Sequence, residues 1–220
     1  NTFILDITGE GTLSNSEINL LHSNENNYKN WVDFCLEQKK YFGTFYPVIQ
    51  IEEEENYEQY LQKLINQVEV LTKNFDYVVF RSQSEKMAYD LISDIKAIID
   101  SKKIQNFSKK IIYVLDYRYI NNADNGVETA VKFIVALNKL GVENIVVSST
   151  SFPNNVSQYM DSEEISFKMK EVDFFKNIKS KQELNNINIV YSDYVSINPI
   201  RNDTVVFARG WIPRIDIPTE

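Results

Sequence analysis

The sequence predicts an α/β fold, specifically a parallel barrel of the (β/α)8 type, on three observations. Short Val/Ile/Phe/Tyr runs alternate with longer segments of helical period along most of the chain. Most of the short runs are apolar at consecutive positions, which marks strands buried on both faces, as in parallel sheets. The third observation is a missing motif. An open doubly wound parallel sheet, the competing topology, carries a Gly-rich phosphate turn after an early strand, and here only Gly9-Glu10-Gly11 follows the first run.

The first strand is predicted at Phe3–Ile7. Tyr28, Trp31, Val32 and Cys35 place a helix between it and a second strand at Phe45–Ile51. Tyr57, Tyr60, Leu61, Leu64, Ile65, Val68 and Leu71 form one apolar helical stripe, preceded by the carboxylates of Glu52–Glu55, which complement its positive end. A third strand, Tyr77–Arg81, leads to a helix with Met87, Ala88, Leu91, Ile92, Ile95 and Ile99 inward, and Ser82 with Glu85 has the spacing of a capping box. Strand four is predicted at Ile111–Asp116. The helix after it carries Val127, Ala130, Val131, Ile134, Val135 and Leu137, with Asp124 as N-cap and Gly141 just past its end. Strand five, Asn144–Ser149, is followed by a less regular helix with Ile165, Met169, Val172 and Phe175. Strands six and seven are expected at Ile187–Tyr191 and Thr204–Arg209.

No linker or low-complexity block interrupts this alternation, so residues 1–220 read as one domain. A closed barrel needs an eighth strand. Asn1 leads straight into Phe3-Ile4-Leu5, which predicts a start partway through the domain, with the first strand lost.

Composition excludes several classes of function. With 43% hydrophobic and 25% charged residues the chain is globular, not disordered. No apolar run is long enough to span a membrane, and no secretory leader pattern opens the sequence. A single Cys35 forms no internal disulfide, so a cytoplasmic location is expected. A net charge of −8 repels phosphate backbones and argues against bulk, non-specific nucleic-acid binding.

In parallel α/β folds functional groups collect where the strands end. Those ends carry Asp6, Gln50, Glu52, Arg81, Asp116, Arg118, Ser149, Thr150, Ser151, Asp193, Arg209 and Trp211. Asp6, Asp116 and Asp193 are the candidate catalytic carboxylates, because glycoside hydrolysis and Mg²⁺ sites both need two or more acids at close range. Arg81, Arg118, Ser149, Thr150, Tyr194 and Arg209 are the candidate ligand-binding residues. Asp116 has competing readings as a general base, a metal ligand, or the ion-pair partner of Arg81 or Arg118. The run Ser148-Ser149-Thr150-Ser151 reads either as an anion cradle or as ordinary turn vocabulary. The lone His22 lies in a polar stretch expected to be loop, and Cys35 lies on an apolar helix face, so neither reads as a catalytic centre. No motif identifies a cofactor, and no metal site is assigned.

The order of Trp31 within a helix, Tyr46-Pro47-Val48-Ile49-Gln50, Leu115-Asp116-Tyr117-Arg118, Ser149-Thr150-Ser151-Phe152-Pro153 and Ser192-Asp193-Tyr194 resembles the "beta protein" family of phages and bacteria. That resemblance spans about Phe3 to Trp211. It implies a relative of TIM-barrel proteins working in bacterium–phage conflict, as a binding or effector component with a protein partner encoded in the same operon. The alternative is a barrel hydrolase that uses the rim carboxylates, with or without metal assistance, on a phosphate or glycosidic bond.

Overall fold

The computed structural model describes residues 2–9, 13–52, 54–154, 166–195 and 197–199. Its strands are β1 (Phe3–Leu5), β2 (Phe45–Pro47), β3 (Val78–Ser82), β4 (Ile111–Tyr119), β5 (Asn144–Thr150) and β6 (Ile189–Asp193). Its helices are α1 (Ser16–His22), α2 (Lys29–Phe42), α3 (Tyr57–Asn74), α4 (Glu85–Asp100), α5 (Val127–Lys139) and α6 (Lys170–Lys179). The fold is α/β with parallel pairing throughout: β1 with β2, then β3-β4-β5-β6 in sequence order. A parallel bridge between Val48 and Val79 links the two groups, and the Ile49 N–H donates to the Val79 carbonyl at 2.8 Å. The described strands therefore follow one another without the reversal of order that marks a doubly wound sheet. Among them, β1 and β6 each pair on one side only, so no closed ring is seen. The predicted strand Thr204–Arg209 lies outside the described residues.

Alternation along the strands explains the continuous apolar runs. In β4, Ile111, Tyr113 and Leu115 join the main core beneath the helices, while Ile112 and Val114 point to the opposite face. There they meet Val48, Val79 and Val146 in a smaller second core. Both faces are thus apolar, with the helices gathered over one of them.

Helix starts differ from the sequence expectation in instructive ways. Ser84, not Ser82, caps α4, accepting from the Met87 N–H at 3.2 Å, because Ser82 is still paired within β3. Gly126 at φ +82°, not Asp124, precedes α5, and Gly141 follows that helix at φ +81° as expected. His22 ends the short helix α1 instead of lying in a loop, and its Nε2 lies 3.0 Å from the Thr8 carbonyl. Inside α6 the buried apolar residues are Phe174 and Ile178. Ile165 lies outside the described residues.

One buried charge joins two helices. Asp94 of α4 is 3% exposed and accepts the Tyr57 hydroxyl at 3.0 Å and the Tyr60 hydroxyl at 2.7 Å, both from α3. Burial raises its carboxyl above the ordinary range, against the lowering effect of the two phenols. The native state therefore holds the Asp94 proton to higher pH than the unfolded chain does. Its contribution to stability is full below about pH 3.9, the ordinary Asp value, and is lost as pH rises from there. Denaturation midpoints of Asp94→Asn, compared with the parent between pH 4 and 7, are expected to lack that part of the downward slope.

Candidate functional site

The carboxyl ends of the strands converge on one guanidinium. Arg81 lies on β3 two residues after Val79, so it shares the face opposite the helices. Its Nε and Nη2 donate to Asp116 Oδ2 at 3.0 and 2.6 Å, and its Nη1 donates to Asp6 Oδ2 at 2.7 Å. Nη2 also lies 3.2 Å from the Tyr194 hydroxyl, which itself donates to Asp116 Oδ2 at 2.6 Å. One side chain thus joins the chain just after β1, the end of β4 and the chain just after β6.

Local backbone geometry places Asp116. The β4–β5 register is regular as far as Asp116 opposite Ser148 and then shifts before Tyr119. Within that irregularity Arg118 takes a left-handed φ of +52°, and its N–H returns to Asp116 Oδ1 at 2.9 Å. Gln83 completes the shell, with Nε2 at 3.3 Å from Oδ2. The Asp116 side chain is 1% exposed, against 29% for Arg81 and 24% for Asp6. Both oxygens of Asp116 are already taken by donors.

The electrostatics follow from these contacts. Burial works to lower the Arg81 guanidinium, but the hydrogen bonds and charges of Asp116 and then Asp6 hold it above its ordinary value. Burial, followed by its bond to Asp116, pushes the Tyr194 hydroxyl up to about 12, so it remains a donor at neutral pH.

Of the three candidate catalytic carboxylates, Asp6 and Asp116 meet at Arg81. Asp193 turns elsewhere, accepting the Tyr191 hydroxyl at 2.7 Å and the Val195 N–H at 2.9 Å. Arg81 and Tyr194 belong to the cluster, and Arg118 reaches the Pro199 carbonyl with Nη2 at 3.0 Å. Ser149 and Thr150 are buried at 2% and 0% exposure. Ser149 follows Ile145 and Val147 on the helix face, and Thr150 Oγ1 accepts from the Phe152 N–H at 3.1 Å, as in a turn. Arg209 and Trp211 lie outside the described residues. Cys35 is buried, and burial raises its thiol far above the ordinary range. Among the described residues no three His, Cys, Asp or Glu side chains come together as a metal-holding group. None of the described helices is long and apolar enough to cross a membrane.

Two contributors were not anticipated from sequence. Glu171, 2% exposed at the start of α6, accepts from the Ser151 N–H at 2.9 Å and from the Ser151 hydroxyl. It fixes the loop after β5. Gln83 was the other, and only its position two residues beyond Arg81 could have signalled it.

The Beta protein family model matches residues 3–220, nearly the whole chain. The chain belongs to the Beta protein family. It is similar to "Protein beta" of Enterobacteria phage P4, with 26% identity over 221 aligned positions covering 98% of this chain. The chain spans 56% of the length of that curated relative. No solved structure matches this family member significantly.

Proposed function

We propose that this Beta protein family member is a recognition module of bacterium–phage conflict that binds a partner or ligand at the mouth built around Arg81, with no hydrolytic step there. The observation that carries this reading is how Asp116 is held: Oδ2 takes two donors from Arg81 and one each from Tyr194 and Gln83, and Oδ1 takes the Arg118 N–H. A general base or metal ligand needs a lone pair that a substrate or metal can reach, and the Asp116 side chain is only 1% exposed. Asp6 is held by the same guanidinium, and Asp193 stands apart with its own partners.

The contacts of Arg81 support a single mouth at the strand ends, as a barrel-like arrangement of the strands would give. Arg81 lies on the third of six strands, so on a flat sheet β1 would stand about 10 Å and β6 about 14 Å away, at about 4.8 Å per gap. Arg81 touches groups flanking both edge strands, Asp6 after β1 and Tyr194 after β6. Curvature toward the face that carries Arg81 would bring both spans within side-chain reach. The phage setting rests on the family and on the phage P4 relative, and the partner is a protein encoded beside this one, met in the cytoplasm.

Arg118 is the residue to test, because it is partly exposed at the mouth and, among the described residues, its side chain holds only the Pro199 carbonyl. Arg118→Ala is expected to change melting by under about 0.5 kcal/mol, as for most surface substitutions. It should nevertheless reduce, at least tenfold, the effect of the expressed protein on phage plating efficiency. An unchanged plating effect would remove the mouth from the function. Hydrolysis of a phosphodiester or glycoside that is abolished by Asp116→Asn in a folded protein would favour the hydrolase instead.

A further inference from the structure

A recognition mouth needs a charged group that a ligand can reach, and the Arg81 side chain is 29% exposed. The N–H groups of its guanidinium are not all held alike. Nε and Nη2 form the inner edge, directed at Asp116 Oδ2 at 3.0 and 2.6 Å, with the Tyr194 hydroxyl 3.2 Å from Nη2. Asp116 is 1% exposed, so that edge is fixed. Nη1 forms the outer edge. Among the described residues its acceptor is Asp6 Oδ2 at 2.7 Å, which leaves the second Nη1 hydrogen without an acceptor among them.

Asp6 is the replaceable partner of the two carboxylates. Its side chain is 24% exposed, so it can turn into water without the desolvation problem that fixes Asp116. It takes one bond from Arg81, where Asp116 takes two. It also follows β1, a three-residue strand paired on one side only, and its Oδ1 is satisfied locally by the Ile7 N–H at 2.9 Å. The contact at Nη1 is thus made by a carboxylate from a lightly held edge of the sheet.

We infer that the Nη1 edge of Arg81 is the binding point for a carboxylate of the partner, and that Asp6 occupies this point in the free protein and is displaced when that carboxylate arrives. This rests on reading the mouth as a recognition site and names the group recognised there. Exchange of one carboxylate for another leaves the charge beside Arg81 unchanged. A phosphate dianion would add a negative charge next to Asp116 and the displaced Asp6, so the point discriminates against it. Only the fraction of molecules in which Asp6 has turned away is open to the ligand, and the affinity of the parent protein is reduced by that fraction.

Titration of the purified chain, of Asp6→Ala and of Asp6→Asn with sodium acetate tests the inference, read by the NMR signal of the Arg81 Nε–H and by melting temperature. Sodium chloride at equal ionic strength and inorganic phosphate are the comparison anions. Acetate should bind Asp6→Ala at least about tenfold more tightly than the parent, because the internal competitor is gone. At about 50 mM it should raise the melting temperature of that variant by about 2 °C more than chloride does. Asp6→Asn keeps the shape without the charge and should fall between the two, and it carries the test if Asp6→Ala does not fold. N-Acetylglycine and N-acetylglutamate α-amide present a chain terminus and an acidic side chain, and the one that binds more tightly than acetate identifies the source of the carboxylate. The plating assay of Arg118→Ala reads the whole mouth in the cell, whereas this titration reads one edge of Arg81, so failure of one is told apart from failure of the other. Acetate affinity in the Asp6 variants no higher than in the parent overturns the inference. So does a chloride response as large as the acetate response, tighter binding of phosphate than of acetate, or weaker binding of both amino-acid derivatives than of acetate.

Discussion

Arg81→Met is expected to lower the stability of the folded chain by about 3–5 kcal/mol, the range for breaking a buried ion pair by removing one partner. The substitution keeps most of the apolar stem and removes the charge. Asp6, about one quarter exposed, can turn to water. Asp116 cannot, because its side chain is 1% exposed and would keep only Tyr194, Gln83 and the Arg118 N–H as donors. An uncompensated buried carboxylate is the dominant loss. Arg81→Met combined with Asp116→Asn should therefore recover a large part of the deficit, since removing both charges also removes the desolvation problem. Urea denaturation with unchanged m-value measures both variants. A loss under about 1 kcal/mol, the level of an exposed pair, would mean that water reaches Asp116.

Trp31→Ala is expected to cost a similar amount, about 3–5 kcal/mol, for a different reason. Trp31 of α2 is fully buried, stacks near Phe34, and donates its indole N–H to the Val48 carbonyl at 2.9 Å. Val48 is the residue through which the β1–β2 pair bridges to β3. Loss of the ring opens a cavity and frees the join between the two strand groups, so amide exchange at Ile49, whose N–H bonds to Val79, should accelerate more than exchange within α5. Trp31→Phe restores the packing but not the hydrogen bond and should retain a deficit of about 1 kcal/mol.

Much of this was legible in the residues. Apolar stripes located α3, α4 and α5, and the doubly apolar runs located six strands, because both signals come from periodicity that burial enforces. The rim reading brought Asp6, Arg81 and Asp116 to one place and offered Arg81 as a partner of Asp116. What periodicity does not carry is which side chain meets which. Tyr194 read as a ligand-binding aromatic, whereas its hydroxyl is occupied by Asp116 in the free protein. Ser149 and Thr150 read as a possible anion cradle, but the alternation of β5 turns Ser149 toward the helices, and Thr150 serves the turn. Asp94 went unnoticed because a carboxylate among apolar helix positions looks like a solvated residue until Tyr57 and Tyr60 of a neighbouring helix are brought against it. Helix starts slipped by two residues where a strand ran longer than its apolar run, as at Ser82.

The gathering of both sheet edges around Arg81 is best tested by a double-mutant cycle between Asp6→Asn and Tyr194→Phe, 188 positions apart in the chain and joined only through that guanidinium. The two stability changes should be non-additive by at least about 0.5 kcal/mol, and the coupling should vanish when the cycle is repeated in Arg81→Met. Additivity within about 0.3 kcal/mol in the parent protein, as for distant and independent sites, would contradict a shared bridge.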